Sequence, residues 1–175
     1  MSILEVLKYP HPFLCTKAKP VHAVDSHVKA LIEDMIDTMR YARGIGLAAT
    51  QVGSDKRVIV LEVPEKDSET GQETIVLVNP EIIEAVREFI YEEGCLSLPG
   101  IVADVKRFEG VVVKGLDTEG RPFSFEAEGL KAVAVQHEID HLDGVLFIDR
   151  LTRLKRSIVK KRYLKILEAE KALVG

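Results

Sequence analysis

The sequence predicts an α+β domain, in which strands cluster together and helices lie before and after the cluster. Three features lead to this prediction. A helical pattern of apolar residues covers 25–44, segments rich in β-branched residues lie between 57 and 128, and helical patterns return at 129–143 and from 151 onwards. Strands that alternate regularly with helices, as in a parallel sheet, are not predicted.

Length and composition are those of one domain. The chain has 175 residues, of which 46% are hydrophobic and 30% are charged. No apolar run approaches the ~20 residues of a membrane-spanning helix, so we expect no membrane association. The first residues lack a basic region followed by a long apolar one, so we expect no cleaved secretory signal. Together with only two cysteines, Cys15 and Cys95, this favours a reduced, cytoplasmic protein.

The segment DSHVKALIEDMIDTMRYARG (25–44) predicts the first helix. Asp25 or Ser26 can cap its start, and Gly44 ends it. Apolar residues recur on one face at spacings of three and four, as in a helix packed on a core. They are Val28, Leu31, Ile32, Met35, Ile36, Met39 and Ala42.

Strands are predicted in the middle of the chain. RVIVLEV (57–63) and TIVLVNP (74–80) are rich in β-branched residues, and a polar turn (64–73) separates them. The following EIIEAVREFIYEEG favours extended structure. EGVVVKGLD and RPFSFEAEG alternate on either side of DTEG, which predicts a hairpin.

Two more helices are predicted. Residues 129–143 place Leu130, Ala134, His137 and His141 on one stripe. The segment from Leu151 to about Ala172 has an apolar side that we expect to pack on the domain. Its members are Leu151, Leu154, Ile158, Tyr163 and Ile166.

Charge is divided unevenly along the chain. The net charge is −4, but the residues from Leu151 onwards contain eight Lys or Arg and two Glu. An acidic body is not an obvious nucleic-acid binder, whereas the basic C-terminal segment is a candidate. A solvated helix face is the alternative for such a charge run.

The stretch QHEIDHLDG (136–144) has the pattern of a metal site. Side chains at i and i+4 lie on one helix face, so His137 and His141 can direct both imidazoles at one ion. Glu138, rotated by about 100°, flanks them as the acid–base carboxylate of an HExxH motif. Two ordinary histidines are the alternative. Both lie on the apolar stripe, however, where a buried polar group without a partner costs about 1–3 kcal/mol.

A catalytic site of this kind needs a third protein ligand. The extended protease pattern HExxHxxGxxH fits as far as Gly144, but Phe147 stands in the position of the third histidine, which argues against that protease class. Glu168 is one candidate. Cys95, in EEGCLSLPG (92–100), is another, because a thiolate binds zinc or iron(II) strongly. A small buried core residue is the alternative for Cys95.

Three segments, GIGLAATQVG, EEGCLSLPG and QHEIDHLDG, resemble the motifs of the peptide deformylase family in their order and separation. The resemblance is to the shorter, bacterial type and covers most of the chain. It implies an α+β domain with small antiparallel or mixed sheets around a central HExxH helix. It also implies removal of the formyl group from the N-terminal formylmethionine of new polypeptides. We expect residues 1–150 to form the catalytic domain and residues 151–175 a basic helix packed on it.

The resemblance also implies the roles of individual residues. Cys95, His137 and His141 would bind Fe(II), which zinc or nickel can replace, with water in the fourth position. The side-chain amide of Gln51 and the backbone N–H of Leu96 would stabilise the oxyanion. The family's first motif commonly has a proline where this chain has Thr50.

A formylated peptide is expected to lie extended beside Ile45 and Gly94 and to bond through its main chain. Gly44 and Gly46 would allow its backbone to approach closely. Four residues are expected to surround the methionine side chain, although plain core packing is their alternative. They are Tyr91, Leu130, Val133 and Ala134.

Two other functions fit the same metal ligands. One is a different metallohydrolase, such as a small peptidase or amidase. The other is a structural zinc domain, but such sites use four ligands, and the sequence offers no convincing fourth. We further expect a monomer whose basic C-terminal helix docks on the ribosome.

Overall fold

The computed structural model describes residues 2–174 and confirms the α+β class. Residue 1 of the predicted catalytic domain (1–150) and residue 175 of the predicted basic helix (151–175) lie outside the described residues. The helices are α1 (Ser26–Tyr41), α2 (Gly129–Leu142) and α3 (Arg153–Val174). The strands are β1 (Gly46–Ala48), β2 (Val58–Pro64), β3 (Gln72–Gly94), β4 (Val102–Leu116) and β5 (Pro122–Glu128). No helix within residues 2–174 is long and apolar enough to cross a membrane.

The five strands form one antiparallel sheet in the order β1-β2-β3-β4-β5. The extended structure predicted after residue 80 is confirmed, because β3 continues to Gly94. Its pairing with β4 shifts register between Val78 and Glu81 and again between Ile82 and Glu84. Such irregularities bend and twist a long strand.

Helix α1 begins where the sequence predicts. The side chain of Asp25 accepts a hydrogen bond from the backbone N–H of Val28 at 2.9 Å and so caps the first turn. Four of the predicted apolar residues are buried against β1 and β2, in one core cluster. They are Val28, Ile32, Met35 and Met39.

The central helix α2 contacts all five strands and is buried on almost every side. Its side chain Gln136 accepts a hydrogen bond from the backbone N–H of Phe108 and donates one to the carbonyl of the same residue, at 2.9 and 2.8 Å. This pair of bonds fixes the rotation of α2 against β4. The fixed rotation determines where the histidines of the helix point.

Helix α3 packs on the domain through a face that matches the predicted one at Tyr163 and Ile166 but differs from it at Leu154 and Ile158. Leu154 and Ile158 are 71% and 50% exposed, whereas Val159 and Tyr163 are buried. Val159, Tyr163 and Ile166 recur at spacings of four and three, so they form one continuous stripe on the helix. The prediction was wrong at Leu154 and Ile158.

Candidate active site and metal centre

Cys95, His137 and His141 meet at one point. Their ligand atoms all lie within 4.8 Å of one another. The Nε2 atoms of the two histidines are 3.2 Å apart, and Cys95 Sγ lies 3.3 Å from His141 Nε2. Helix α2 supplies the histidines, and the turn that follows β3 supplies the cysteine. Folding therefore brings together residues that are 42 and 46 positions apart in the sequence.

The surroundings of these residues fit a metal ion. His137 Nδ1 donates to Glu93 Oε1 at 2.7 Å, and this bond orients the ring with Nε2 towards the group. Burial lowers the pKa of His141 well below its usual value, so this ring is neutral and able to ligate. A thiolate and two imidazoles suit zinc, iron or nickel. Three ligands leave one position open, as catalytic sites do.

A chain of charges, buried except at its Arg150 end, supports His137. Glu93 accepts two hydrogen bonds from Arg107, at 2.6 and 2.9 Å, and Arg107 also donates to Asp140 at 2.6 Å. Asp140 in turn accepts two bonds from Arg150, both of 2.6 Å. Burial alone would raise the pKa of Glu93, but the bonds from Arg107 and His137 hold it below its usual value. Glu93 therefore stays charged and keeps accepting from His137.

Glu138 lies in the same cavity as the metal group. Burial raises the pKa of its carboxyl group to about 7. Its Oε2 atom is buried and has no hydrogen-bond partner among residues 2–174. A carboxylate in such a setting can exchange a proton near neutral pH.

Gln51 and Leu96 lie on two segments beside the cysteine. Gln51 belongs to a short 3-10 helix (Ala49–Val52) after β1, and its side-chain oxygen accepts from the N–H of Ala48 at 2.9 Å. This bond turns the amide nitrogen towards the metal group, 3.6 Å from Cys95 Sγ. Leu96 follows Cys95 directly and lines the same cavity.

The cavity next to the metal group has a volume of about 630 Å³, within the usual range for small-molecule and peptide side-chain sites. The structure places every substrate-binding residue predicted from the sequence on its wall. These are Ile45, Gly46, Tyr91, Gly94, Leu130, Val133 and Ala134. His141 is fully buried behind the wall.

The family of the chain follows from its relatives. The family model for polypeptide deformylase matches residues 3–157. The chain belongs to the polypeptide deformylase family. The peptide deformylase of Alkalilimnicola ehrlichii is 48% identical over 175 residues, which are all of this chain and 97% of the relative. That of Thermodesulfovibrio yellowstonii is 50% identical over 163 residues, covering 93% and 98% of the two chains.

The fold agrees with this family. The crystal structure of a peptide deformylase from Legionella pneumophila superposes with a TM-score of 0.89 at 44% identity, covering 97% of this chain and 98% of the other. The resemblance stated from the three motifs is thus confirmed. The chain is a metal-dependent hydrolase that removes formyl groups from the N-termini of newly made polypeptides.

Phe147 and the rejected ligand candidate Glu168 have other places in this deformylase. Phe147, at the position of the missing histidine, is buried and its ring lies 6.1 Å from that of His137. Glu168 is exposed on α3 and is not among the metal-ligating groups found in residues 2–174.

The two glycines of GIG serve the protein's own side chains. A Cβ on Gly44 would lie 2.7 Å from Leu96 Cδ1, and one on Gly46 would lie 2.6 Å from Glu138 Oε1. Their lack of a side chain therefore makes room for Leu96 and Glu138. Both glycines also line the cavity, and their predicted role in the approach of the substrate backbone stays a prediction.

Sequence reasoning missed the residues that support the deformylase site. Glu93 stands two positions before Cys95 in the quoted EEGC motif, and Asp140 lies within the HExxH helix. Their positions inside motifs were a usable signal. Arg107 lies on β4, far from any motif, and nothing in the sequence links it to Glu93.

Proposed function

We propose that Cys95, His137 and His141 hold the catalytic metal ion of this deformylase. The observation that carries the proposal is the convergence of one thiol and two imidazoles beside an open cavity. When bound, the metal polarises the formyl carbonyl and lowers the pKa of water. The protein's own groups then position the reactants and move protons.

Glu138 is the acid–base residue in this proposal. It takes a proton from the water that attacks the formyl carbon and delivers it to the amine nitrogen as the C–N bond breaks. The products are formate and a free N-terminal amine. Support comes from the placement of the carboxylate in the cavity, with one oxygen free of partners among the described residues.

Gln51 and Leu96 stabilise the oxyanion of the tetrahedral intermediate. The Gln51 amide nitrogen and the Leu96 backbone N–H are the proposed donors, and both residues line the cavity beside Cys95. Losing one donor of this kind typically costs about 3–4 kcal/mol of activation free energy.

The peptide lies extended between two walls. Ile45 and Gly46 on one side and Gly94 on the other offer main-chain groups, which bind any sequence after the methionine. The methionine side chain enters the apolar part of the cavity. Its walls are Tyr91, Leu130, Val133 and Ala134.

Replacement of Glu138 by Gln tests this mechanism. The variant should bind metal and unfold at the same denaturant concentration as the wild type, but its turnover of formyl-Met-Ala-Ser should fall by about 10²-fold or more. Full activity would overturn the role of Glu138. Comparison with acetyl-Met-Ala-Ser measures whether the site is specific for the formyl group, and equal turnover of both peptides would contradict the proposal.

Fe(II) is the proposed metal in the cell, with zinc or nickel able to replace it. One thiolate and two imidazoles suit all three ions. Protein purified without oxygen should contain about one iron per chain, and its activity should fade in air as the metal or the thiolate oxidises. Zinc in anaerobically purified protein, with activity stable in air, would contradict the assignment.

We further propose that residues 1–150 form the catalytic domain and that residues 151–175 dock on ribosomal RNA. Support comes from exposed basic residues along α3, including Lys155, Lys161 and Arg162. Truncation after Arg150 should abolish salt-sensitive co-sedimentation with ribosomes. Because α3 also covers apolar core, a full-length variant with these three residues changed to Gln is the better-matched test. Unchanged co-sedimentation of that variant would end the proposal.

A cytoplasmic monomer is proposed on the basis of this substrate. Newly made polypeptides carry the formyl group at the ribosome, and both Cys15 and Cys95 are free thiols. Light scattering should give the mass of one chain, 19.5 kDa. A mass of about twice that value would contradict the monomer.

A further inference from the structure

Three consecutive residues near the N-terminus, Leu7–Tyr9, hydrogen-bond to both segments that carry the proposed oxyanion donors. The N–H of Leu7 donates to the carbonyl of Gln51 at 2.7 Å, and the N–H of Tyr9 donates to the carbonyl of Ser97 at 2.8 Å. Between them, Lys8 Nζ donates to the carbonyl of Leu96 at 2.9 Å.

The two donor segments need such a connection. Gln51 and Leu96 are 45 positions apart in the sequence, and neither lies within a long helix or strand. An oxyanion site works only when its donors lie about 2.7–3.1 Å from the developing charge. A small error in their relative position therefore lowers the rate of the chemical step. Side-chain contacts between the two segments start from one atom, Gln51 Nε2, which donates to Ser97 Oγ at 3.1 Å and lies 3.6 Å from Cys95 Sγ.

Leu7–Tyr9 is itself held in place. The Tyr9 ring packs edge-on against the buried ring of Tyr163 in α3, with ring centroids 5.8 Å apart. The Lys8 ammonium is exposed but reaches inward to a carbonyl on the cavity wall. A charged donor makes a stronger hydrogen bond than a neutral one. The bond from Lys8 also restrains the backbone of Leu96, whose own N–H is a proposed donor.

We propose that Leu7–Tyr9 aligns the two oxyanion donors with each other, with Lys8 as the positioning residue. The inference rests on the oxyanion roles proposed above for Gln51 and Leu96. Lys8 does not touch the substrate. It acts through Leu96.

Replacement of Lys8 by Met tests this inference, because Met keeps the aliphatic stem and removes the charged donor. With formyl-Met-Ala-Ser, kcat should fall by about fivefold or more, less than the 10²–10³-fold loss caused by deleting a donor outright. KM should stay unchanged, since substrate contacts are kept. Lys8→Arg should restore most of kcat. Metal content and the unfolding midpoint should match the wild type.

Lys19→Met is the matched control. Lys19 is exposed and pairs with Asp55 at 3.2 Å, away from the cavity, so its loss should leave kcat unchanged. Wild-type kcat in Lys8→Met would overturn the inference. So would a rise in KM, or a loss of kcat that Lys8→Arg fails to restore.

A fourth variant, Gln51→Ala, separates this inference from the proposed function. If folded, metal-loaded Gln51→Ala keeps full kcat, the oxyanion role of Gln51 is wrong. Leu7–Tyr9 then has no pair of oxyanion donors to align, and the inference fails with the proposed function. If Gln51→Ala loses kcat while Lys8→Met keeps it, the oxyanion proposal stands and only the role of Leu7–Tyr9 is refuted. Loss of kcat in both variants is the expected result.

Discussion

Gly46 lies directly against the carboxylate of Glu138, and a Cβ at Gly46 would lie 2.6 Å from Glu138 Oε1. Replacement of Gly46 by Ala should therefore displace the carboxylate. Since a shift of about 1 Å in a reacting group can cost 10²-fold in rate, turnover should fall by roughly that factor. The measurement is kcat with formyl-Met-Ala-Ser, together with metal content, which should not change. Turnover close to that of the wild type would show that Glu138 does not need its present position.

Glu93 holds His137 through a 2.7 Å hydrogen bond. Glu93→Gln should weaken metal binding by about 10–100-fold, the usual effect of removing a carboxylate behind a ligating histidine. Competition with a chelator measures this affinity. Glu88→Gln is the matched control, because Glu88 lies on the same strand and makes an exposed pair with Lys106 at 3.4 Å. Equal metal affinity in the two variants would refute the role of Glu93.

Thr50 is fully buried, and its hydroxyl donates to the backbone carbonyl of His141 at 3.0 Å. The bond ties the segment that carries Gln51 to the end of the helix that carries the metal ligands. Thr50→Val keeps the shape but removes the donor, which should cost about 1 kcal/mol of unfolding free energy. Metal release to a chelator should be faster. Thr50→Ser, which keeps the hydroxyl, should release metal more slowly than Thr50→Val, and equal rates would contradict the role.

Helix α3 offers a matched pair of substitutions. Tyr163 is fully buried, so Tyr163→Ala should lower the unfolding free energy by about 3–5 kcal/mol. Leu154 is 71% exposed, so Leu154→Ala should change it by less than about 0.5 kcal/mol. Denaturant unfolding of the two variants measures both values. A loss at Leu154 as large as that at Tyr163 would mean that α3 also packs through Leu154, as the sequence predicted.

The sequence predicted those helices and strands that residues within the same segment specify. The start of α1 was predictable because Asp25 caps its own helix, and α2 because its histidines repeat at helical spacing. The face of α3 was not predictable in the same way. Apolar residues occur on several sides of that helix, and contact with the core around Leu14 and Phe147 decides that Val159 is buried while Ile158 is exposed.

The residues of the site also fall into those that a local motif suggests and those that only tertiary contacts reveal. The histidines lie in one short motif, and its chemistry alone suggested a metal site. Chemistry left Cys95 as one of two candidates for the third ligand, and the resemblance of its motif to the family selected it. The partners of those ligands come from distant strands, as Arg107 on β4 does, and their roles depend on tertiary distance. Five of the six atoms that form the three hydrogen bonds from Leu7–Tyr9 are main-chain atoms. A pattern of side chains in the sequence cannot reveal such bonds.

X-ray absorption on zinc-loaded protein tests the central claim most directly, because it counts the ligand atoms around the metal. We predict one sulfur at about 2.3 Å and two imidazole nitrogens at about 2.0–2.1 Å, with one further light atom. The sulfur signal should vanish in Cys95→Ser and persist in Cys15→Ser. A spectrum without sulfur in the wild-type protein would contradict the proposed metal site.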